Sequence, residues 1–176
     1  MPVQKFNQHW IASFTNATDI NPVIIADYLS IRDDTAIKKT HLFDGRYENI
    51  YVPLDRIPTL KPVLLQVKHY AAEILNINIE QLKIGFWFNE MQPGHTTTLH
   101  RHDDDDELLS CAYYLQVPKQ SGQLILEDGK NQQKITPIEG NAIFFSPSLP
   151  HAVSENRSDK MRLSIGINIG PNRGQI

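Results

Sequence analysis

Residues 108–128 read LLSCAYYLQVPKQSGQLILED, two apolar runs joined by a turn segment of Pro, Lys, Gln, Ser and Gly. Both runs are short and end at turn-forming residues, which is typical of strands. From about residue 82 onward the spacing of apolar residues changes from 3.6, which is typical of a helix, to 2, which is typical of a strand. The strand pattern therefore continues on both sides of this stretch. The C-terminal half is therefore predicted to be built from closely spaced β-strands.

Eight such runs lie between residues 82 and 169. They are LKIGFWFNE (82–90), TTLHRH (97–102), LLSCAYYLQV (108–117), GQLILED (122–128), QKITPI (133–138), NAIFFS (141–146), HAVSE (151–155) and MRLSIGINI (161–169). Short strands separated by turn sequences indicate an antiparallel sandwich or barrel, and a jelly roll is the simplest layout.

The first eighty residues carry helical signals instead. Asn21 and Pro22 are a typical helix start before VIIADYLSI, and KPVLLQVKHYAAEIL (61–75) has apolar residues at helical spacing. Between them, HLFDGRYENIYVPL (41–54) reads as a loop or short hairpin that turns at Asp44 and Gly45. We expect one domain, residues 1–176, in which a helical support segment (1–80) packs outside a mainly β core (81–176).

The composition is typical of a soluble globular protein. The formal net charge of −3, with no cluster of Lys or Arg, argues against a nucleic-acid-binding surface. Cys111 is the single cysteine of the sequence, which fits a reducing compartment. The first ten residues contain no apolar signal-peptide core, and no run is long enough to span a membrane. These features predict a cytoplasmic protein without a membrane partner.

The stretch LHRHDDDDELL (99–109) offers metal ligands at the end of a predicted strand. In extended chain, residues i and i+2 point to the same side, so His102 and Asp104 can bind one ion. His151 follows another strand and supplies a third ligand, which gives the two-histidine, one-carboxylate set of non-haem Fe(II) oxygenases. The simpler interpretation is a solvated acidic loop, and we expect that role for Asp103, Asp105, Asp106 and Glu107.

The last strand, MRLSIGINI (161–169), separates into two faces. Its odd-numbered residues are apolar, whereas the even-numbered ones are Arg162, Ser164, Gly166 and Asn168. The ordinary interpretation is a solvent-facing polar side. Because three of these four residues are small or short, the pattern favours a pocket wall in which Arg162 binds an anion, such as a carboxylate, through its planar fork.

The combination of His-x-Asp, a distal His and a following Arg-x-Ser resembles the Fe(II)/2-oxoglutarate-dependent dioxygenase superfamily. SCAYYLQVPKQSGQLILED (110–128) and GNAIFFSPSLPHAVSEN (140–156) are similar to its prolyl-hydroxylase-like members, and the chain also resembles a bacterial and phage subgroup with a histidine pair before LSGVYYL. The resemblance covers roughly residues 82–170.

What the resemblance implies is a double-stranded β-helix that binds Fe(II), 2-oxoglutarate and O2 and hydroxylates a C–H bond with release of succinate and CO2. On this basis His102, Asp104 and His151 would bind iron. Arg162, Ser164 and Tyr114 would hold the distal carboxylate of 2-oxoglutarate. No catalytic residue beyond the metal ligands is implied.

Two departures from the subgroup affect this assignment. Cys111 stands where the subgroup has glycine, and the subgroup's own ligand pair is His-x-His, which makes His100 and His102 a rival pair. Alignment of Tyr113 and Tyr114 on the subgroup's tyrosines without a gap favours His102 and Asp104.

Two other classes of protein remain open at this point. A cupin would bind a metal through His100, His102, Glu107 and His151 without 2-oxoglutarate, and a jelly-roll binding module would perform no chemistry. The substrate is a small molecule or a peptidyl group of unknown identity. Its wall is predicted to include residues of DGRYENIYVP (44–53) or of the strand with Trp87 and Asn89, although these are more often ordinary strand residues. The residues that we consider in the first segment are Arg46, Tyr47, Asn49 and Tyr51.

Overall fold

The computed structural model of the chain describes residues 3–101, 106–129 and 131–173. Within these ranges it has two α-helices and twelve strands. The strands are β1 (Val3–Lys5), β2 (His9–Ser13), β3 (Lys38–Phe43), β4 (Arg46–Tyr51), β5 (Leu82–Met91), β6 (Thr97–His100), β7 (Leu109–Gln116), β8 (Leu124–Asp128), β9 (Asn131–Ile135), β10 (Asn141–Phe145), β11 (His151–Val153) and β12 (Arg162–Pro171).

These strands form two antiparallel sheets. The large sheet has the order β1-β2-β10-β7-β12-β5-β4-β3, and the small sheet has the order β6-β11-β8-β9. From β5 to β12 the chain passes repeatedly from one sheet to the other, so strands distant in sequence become neighbours. This arrangement is the double-stranded β-helix, and the prediction of a mainly β jelly-roll core with preceding helices is confirmed.

Helices α1 (Ala17–Ile31) and α2 (Lys61–Leu75) cover the outer face of the large sheet. The bounds of α2 match the prediction. Helix α1 begins four residues before the expected Asn21, and Pro22 lies inside it. The side chain of Asn21 does not cap the helix but hydrogen-bonds to β7, with Nδ2 donating to the carbonyls of Tyr114 and Leu115. The side chain of Asn21 therefore makes a tertiary contact with β7 and is not a helix cap.

The N-terminal segment is less helical than its sequence predicts. Strands β1 and β2 extend one edge of the large sheet, because β2 pairs with β10. Strands β3 and β4 form the hairpin that turns at Asp44 and Gly45, and they extend the opposite edge through β5. Both turn residues have positive φ, 48° at Asp44 and 75° at Gly45, which suits a tight hairpin turn.

The two faces of β12 have different surroundings. Its apolar residues pack with the helices in the main core, and those with no exposed surface are Leu163, Ile165, Ile167 and Ile169. The opposite face looks into the space between the two sheets, where a smaller apolar cluster forms around Leu126 and Phe145. The part of this space that is not filled by side chains is the cavity described next. No helix among the described residues is long and apolar enough to cross a membrane.

Candidate active site

A cavity of about 470 Å³ opens between the two sheets. Four of the side chains predicted to form the site line it, namely Tyr114, His151, Arg162 and Ser164. They come from three strands of the two sheets, β7, β11 and β12, and the antiparallel register brings them together. The other two predicted residues, His102 and Asp104, lie outside the described residues.

Arg162 is the first residue of β12 and only 2 % of its surface is exposed. Nη1 donates to the carbonyl of Ser121 at 3.2 Å, and Nη2 contacts Sδ of Met91 at 2.8 Å. Nε is buried and has no hydrogen-bond partner in the part of the chain that the structure describes. Burial lowers the pKa of the guanidinium, since no carboxylate from these residues compensates the charge. The site is therefore suited to a carboxylate brought by a ligand.

Tyr114 and Ser164 lie beside this guanidinium. The two residues are cross-strand partners in β7 and β12, and Cζ of Arg162 is 5.8 Å from the centroid of the Tyr114 ring. Burial raises the pKa of the Tyr114 phenol to about 12, although the Arg162 charge acts in the opposite direction. A protonated phenol, a hydroxyl and a guanidinium thus line one end of the cavity, and all three can donate to a carboxylate.

His151 begins β11 and is buried. Its Nδ1 lies 2.9 Å from the carbonyl oxygen of Leu149. Because a carbonyl can only accept, Nδ1 carries the proton, and the lone pair of the neutral ring is on Nε2. A backbone carbonyl that fixes the tautomer in this way is the usual support of a metal-binding imidazole. The ring of Phe145 packs against His151 at a centroid distance of 4.8 Å.

His100 is the cross-strand partner of His151, and the two ring centroids are 4.2 Å apart. It lines the cavity. No group of three His, Cys, Asp or Glu side chains within residues 3–101, 106–129 and 131–173 is arranged to hold a metal. His100, Glu107 and His151 all belong to this part of the chain, so three of the four ligands required by the cupin alternative do not converge.

At the C-terminal end of the acidic run, Asp106 is exposed as predicted, whereas Glu107 is half-buried, which corrects the prediction of a solvated charge for that residue. Asp106 forms ion pairs with Arg173 at 3.1 Å and Lys83 at 3.8 Å. The carboxylate of Glu107 accepts a hydrogen bond from Nδ2 of Asn168. Asp103 and Asp105 lie outside the described residues.

The predicted substrate wall is partly present. Asn49, Tyr51, Trp87 and Asn89 line the cavity, and the rings of Tyr51 and Trp87 are 6.3 Å apart. Tyr47 is exposed on the hairpin instead. Arg46 is buried behind the wall, where it pairs with Glu48 at 3.2 Å and donates to the carbonyl of Thr96 at 2.6 Å. Arg46 therefore joins β4 to the turn before β6.

The sequence reasoning did not single out Ser110. Ser110 faces the cavity from β7 and is the cross-strand partner of Asn168 in β12. The sequence signal that could have found it is the alternation of β7, whose odd-numbered residues belong to the core. Ser110 shares the opposite face with Ala112 and Tyr114. Within an apolar run the polar serine is easily read as incidental.

The comparisons with known proteins agree with this geometry. A family model described as the 2OG-Fe(II) oxygenase superfamily matches residues 86–170, which contain strands β6 to β11 and most of β5 and β12. A search of curated proteins found no match to the sequence.

Solved structures share the fold at low sequence identity. A prolyl-4-hydroxylase from Pseudomonas putida is 17 % identical with a TM-score of 0.72, over 93 % of this chain and 92 % of that one. A Trichoplax adhaerens prolyl hydroxylase, in complex with a peptide fragment of the oxygen degradation domain of hypoxia inducible factor, is 16 % identical with a TM-score of 0.73, over 93 % and 84 %. A non-haem, α-ketoglutarate-dependent carbocyclase from nogalamycin biosynthesis is 12 % identical with a TM-score of 0.72, over 92 % and 79 %.

Proposed function

Since residues 86–170 belong to the 2OG-Fe(II) oxygenase superfamily, we propose that the chain is a non-haem Fe(II)- and 2-oxoglutarate-dependent oxygenase. It would hydroxylate a C–H bond of its substrate and release succinate and CO2. The hydroxylation is supported by the likeness to two prolyl hydroxylases. The likeness to a carbocyclase shows why the product has to be measured, because the same fold also serves ring formation.

The observation that carries this proposal is the buried Arg162. A guanidinium that is 2 % exposed is costly without an anion, and its Nε has no partner among the described residues. Ser164 and Tyr114 add donors at the same end of the cavity. These three residues would hold the distal carboxylate of 2-oxoglutarate, and the planar fork of Arg162 would fix its orientation.

The iron would be held by His102, Asp104 and His151. His151 fits this role because its tautomer is set by Leu149, which leaves the lone pair on Nε2. When bound, iron and 2-oxoglutarate together supply the O2 activation and oxidative decarboxylation that C–H hydroxylation needs. The protein positions the co-substrate, and the two sheets shield the deep end of the cavity from bulk water.

Absorption spectroscopy and product analysis test this function. The full-length protein with Fe(II) and 2-oxoglutarate should show a weak visible metal-to-ligand band under anaerobic conditions. In air it should form succinate slowly even without substrate. Both signals should disappear in Arg162→Ala and persist in Arg157→Ala, a matched change at an exposed arginine that pairs with Glu155. Iron binding by the wild-type protein with neither signal would overturn the proposal.

A further inference from the structure

A second cavity lies outside the active site. It is an open groove of about 900 Å³, lined by the turn between β7 and β8 (117–123), the end of β9 (134–137) and the segment after β11 (154–157). Among the residues that the structure describes, the groove and the active-site cavity have no lining residue in common. The proposed oxygenase chemistry therefore does not account for the groove.

Hydrogen bonds hold the three walls of the groove together. The backbone N–H of Gln123 donates to Oγ of Ser154 at 2.8 Å, and Nε2 of Gln123 donates to Oγ1 of Thr136 at 2.9 Å. The backbone N–H of Arg157 donates to the carbonyl of Gln120 at 2.9 Å. The walls are thus in place without a ligand, which lowers the entropy cost of binding one.

The charges that line the groove favour an anion, because three cations stand against one carboxylate. Arg157 pairs with the carboxylate, that of Glu155, at 3.1 Å, so this pair contributes little net charge. The other two cations are Lys119 on the turn and Lys134 on β9, and neither forms an ion pair with a residue of the described ranges. Glu139 is not part of the lining, and its carboxylate accepts a hydrogen bond from the backbone N–H that follows β7.

Ser121 adds an unsatisfied hydroxyl to the groove. It is one of the lining residues and is only 2 % exposed. Its Oγ is buried and has no hydrogen-bond partner in the described part of the chain. A buried hydroxyl without a partner costs free energy, and an anionic oxygen in the groove would accept its proton in a hydrogen bond.

Ser121 also connects the groove to the active site. Its carbonyl oxygen accepts a hydrogen bond from Nη1 of Arg162 at 3.2 Å. One residue therefore has its side chain in the groove and its carbonyl on the guanidinium assigned to the co-substrate. A ligand that fixes Ser121 also fixes this acceptor, so it favours the orientation of Arg162 that the structure shows.

We propose that the groove binds an organic phosphate, and that this ligand raises the affinity of the active site for 2-oxoglutarate. A phosphate monoester carries a charge of about −1.5 to −2 at pH 7, which matches the two lysines. Its oxygens accept from Nζ of Lys119, Nζ of Lys134 and Oγ of Ser121. The binding site is independent of the proposed function, whereas the coupling to 2-oxoglutarate rests on it.

A matched pair of ligands tests the binding site. Glycerol 2-phosphate and glycerol, which differ in the phosphate, are titrated into the full-length protein at pH 7 and followed by calorimetry. The phosphate should bind one to one and at least tenfold more tightly than glycerol, and added salt should weaken it. Equal binding of the two ligands would overturn the inference.

Variants locate the phosphate. Ser121→Ala should weaken it about tenfold, as for one hydrogen bond to a charged group, without lowering the urea midpoint of the ligand-free protein. Lys134→Gln should weaken it about threefold to fivefold, and Lys61→Gln, the same change at an exposed lysine of α2, should have no effect. Arg162→Met should still bind the phosphate. Loss of binding in Arg162→Met alone would place the phosphate in the active site and overturn the groove.

The coupling is measured on the Mn(II)-loaded protein. Saturating glycerol 2-phosphate should raise the affinity for 2-oxoglutarate about fivefold, and 2-oxoglutarate should raise the affinity for the phosphate by the same factor. A lower affinity for 2-oxoglutarate would mean competition at Arg162 and would contradict the site. An unchanged affinity would overturn the coupling. A protein that binds the phosphate but not 2-oxoglutarate would remove the oxygenase assignment and the coupling, and would leave the groove site.

Discussion

The imidazoles of His100 and His151 are in contact, with ring centroids 4.2 Å apart, because the two residues face each other across β6 and β11. His100 is the rival ligand to Asp104 in the sequence comparison, and this contact places it beside the predicted ligand His151. His100 therefore stays a rival to Asp104 for the third ligand.

Metal titration separates the two ligand sets. If His102, Asp104 and His151 bind the metal, Asp104→Ala and His151→Ala should each lower Mn(II) affinity by about a hundredfold, since each removes one of three protein ligands. His100→Ala should change it less than threefold, because a ring beside the site supports His151 without binding the ion. Calorimetry with Mn(II) measures these values. A large loss in His100→Ala with none in Asp104→Ala would assign the metal to three histidines.

Gly166 is predicted to be essential for the position of Trp87. A Cβ at residue 166 would overlap the indole, so Gly166→Ala should destabilise the protein by about 1–3 kcal/mol or displace the ring. The free energy of unfolding in urea and the tryptophan emission spectrum measure the two effects. Gly85→Ala on the adjacent strand is the control, because nothing lies within 4 Å of a Cβ there. Equal stability and equal emission of the two variants would show that the position of the indole does not depend on Gly166.

Asn21 connects helix α1 to the strand that carries Tyr114. It accepts a hydrogen bond from the Tyr113 hydroxyl at 2.7 Å and donates to the Leu115 carbonyl at 3.1 Å. Asn21→Leu leaves these buried groups unsatisfied and should lower the free energy of unfolding by about 2–4 kcal/mol. Val23→Ala, an exposed change on the same helix, should cost less than about 0.5 kcal/mol.

A double-mutant cycle isolates the hydrogen bond that the Tyr113 hydroxyl donates to Oδ1 of Asn21. Combined with Tyr113→Phe, Asn21→Leu should show a coupling of about 1 kcal/mol in urea unfolding. Strictly additive effects of the two substitutions would mean that the hydrogen bond contributes nothing to stability.

Much of the β core could be predicted from sequence because its longer strands, such as β7 and β12, have one face in an apolar layer. The alternation in β12 separates core residues from cavity residues, and it correctly places Arg162 and Ser164 on the cavity side. Strand β1 was missed because it has only three residues and little buried surface. The start of α1 was misplaced because Asn21 resembles a cap but is used in contacts with β7.

The site was harder to predict than the fold for a physical reason. The alternation of apolar and polar residues along a strand indicates which face a residue occupies. It does not indicate which residue of another strand lies opposite. The contact of His100 with His151 depends on the register of β6 and β11, and the hydrogen bond from Asn168 to Glu107 depends on where the residues before β7 lie relative to β12. Neither register follows from the residues of one strand alone. The assignment of His102 and Asp104 stays a prediction.

We predict that Arg162 contributes to ligand binding but does not stabilise the ligand-free protein. Arg162→Met replaces a buried charge by an apolar side chain of similar length, so the free energy of unfolding without 2-oxoglutarate should stay the same or rise by about 1 kcal/mol. The affinity for 2-oxoglutarate should fall about a hundredfold, and Arg162→Lys should lose about tenfold because the bidentate fork is absent. Urea unfolding and calorimetry measure the two properties. A large loss of stability in Arg162→Met would show that the guanidinium is a structural element instead.

Tyr114 is predicted to donate to the co-substrate over an unusually wide pH range. The protonated phenol is the donor, and burial raises its pKa from 10.0 to about 12, so the donor is kept as the pH rises through 10. Tyr114→Phe removes it and should weaken 2-oxoglutarate binding about tenfold to a hundredfold, as expected for one hydrogen bond to a charged group. The ratio of wild-type to Tyr114→Phe affinity should be constant between pH 7 and pH 10, and calorimetry at a series of pH values measures it. Tyr47→Phe, on the exposed hairpin, is the control and should leave the affinity unchanged at each pH. A ratio that falls to about half of its pH 7 value by pH 10 would mean that the phenol titrates like one in water, and that the cavity does not shield it as the structure indicates.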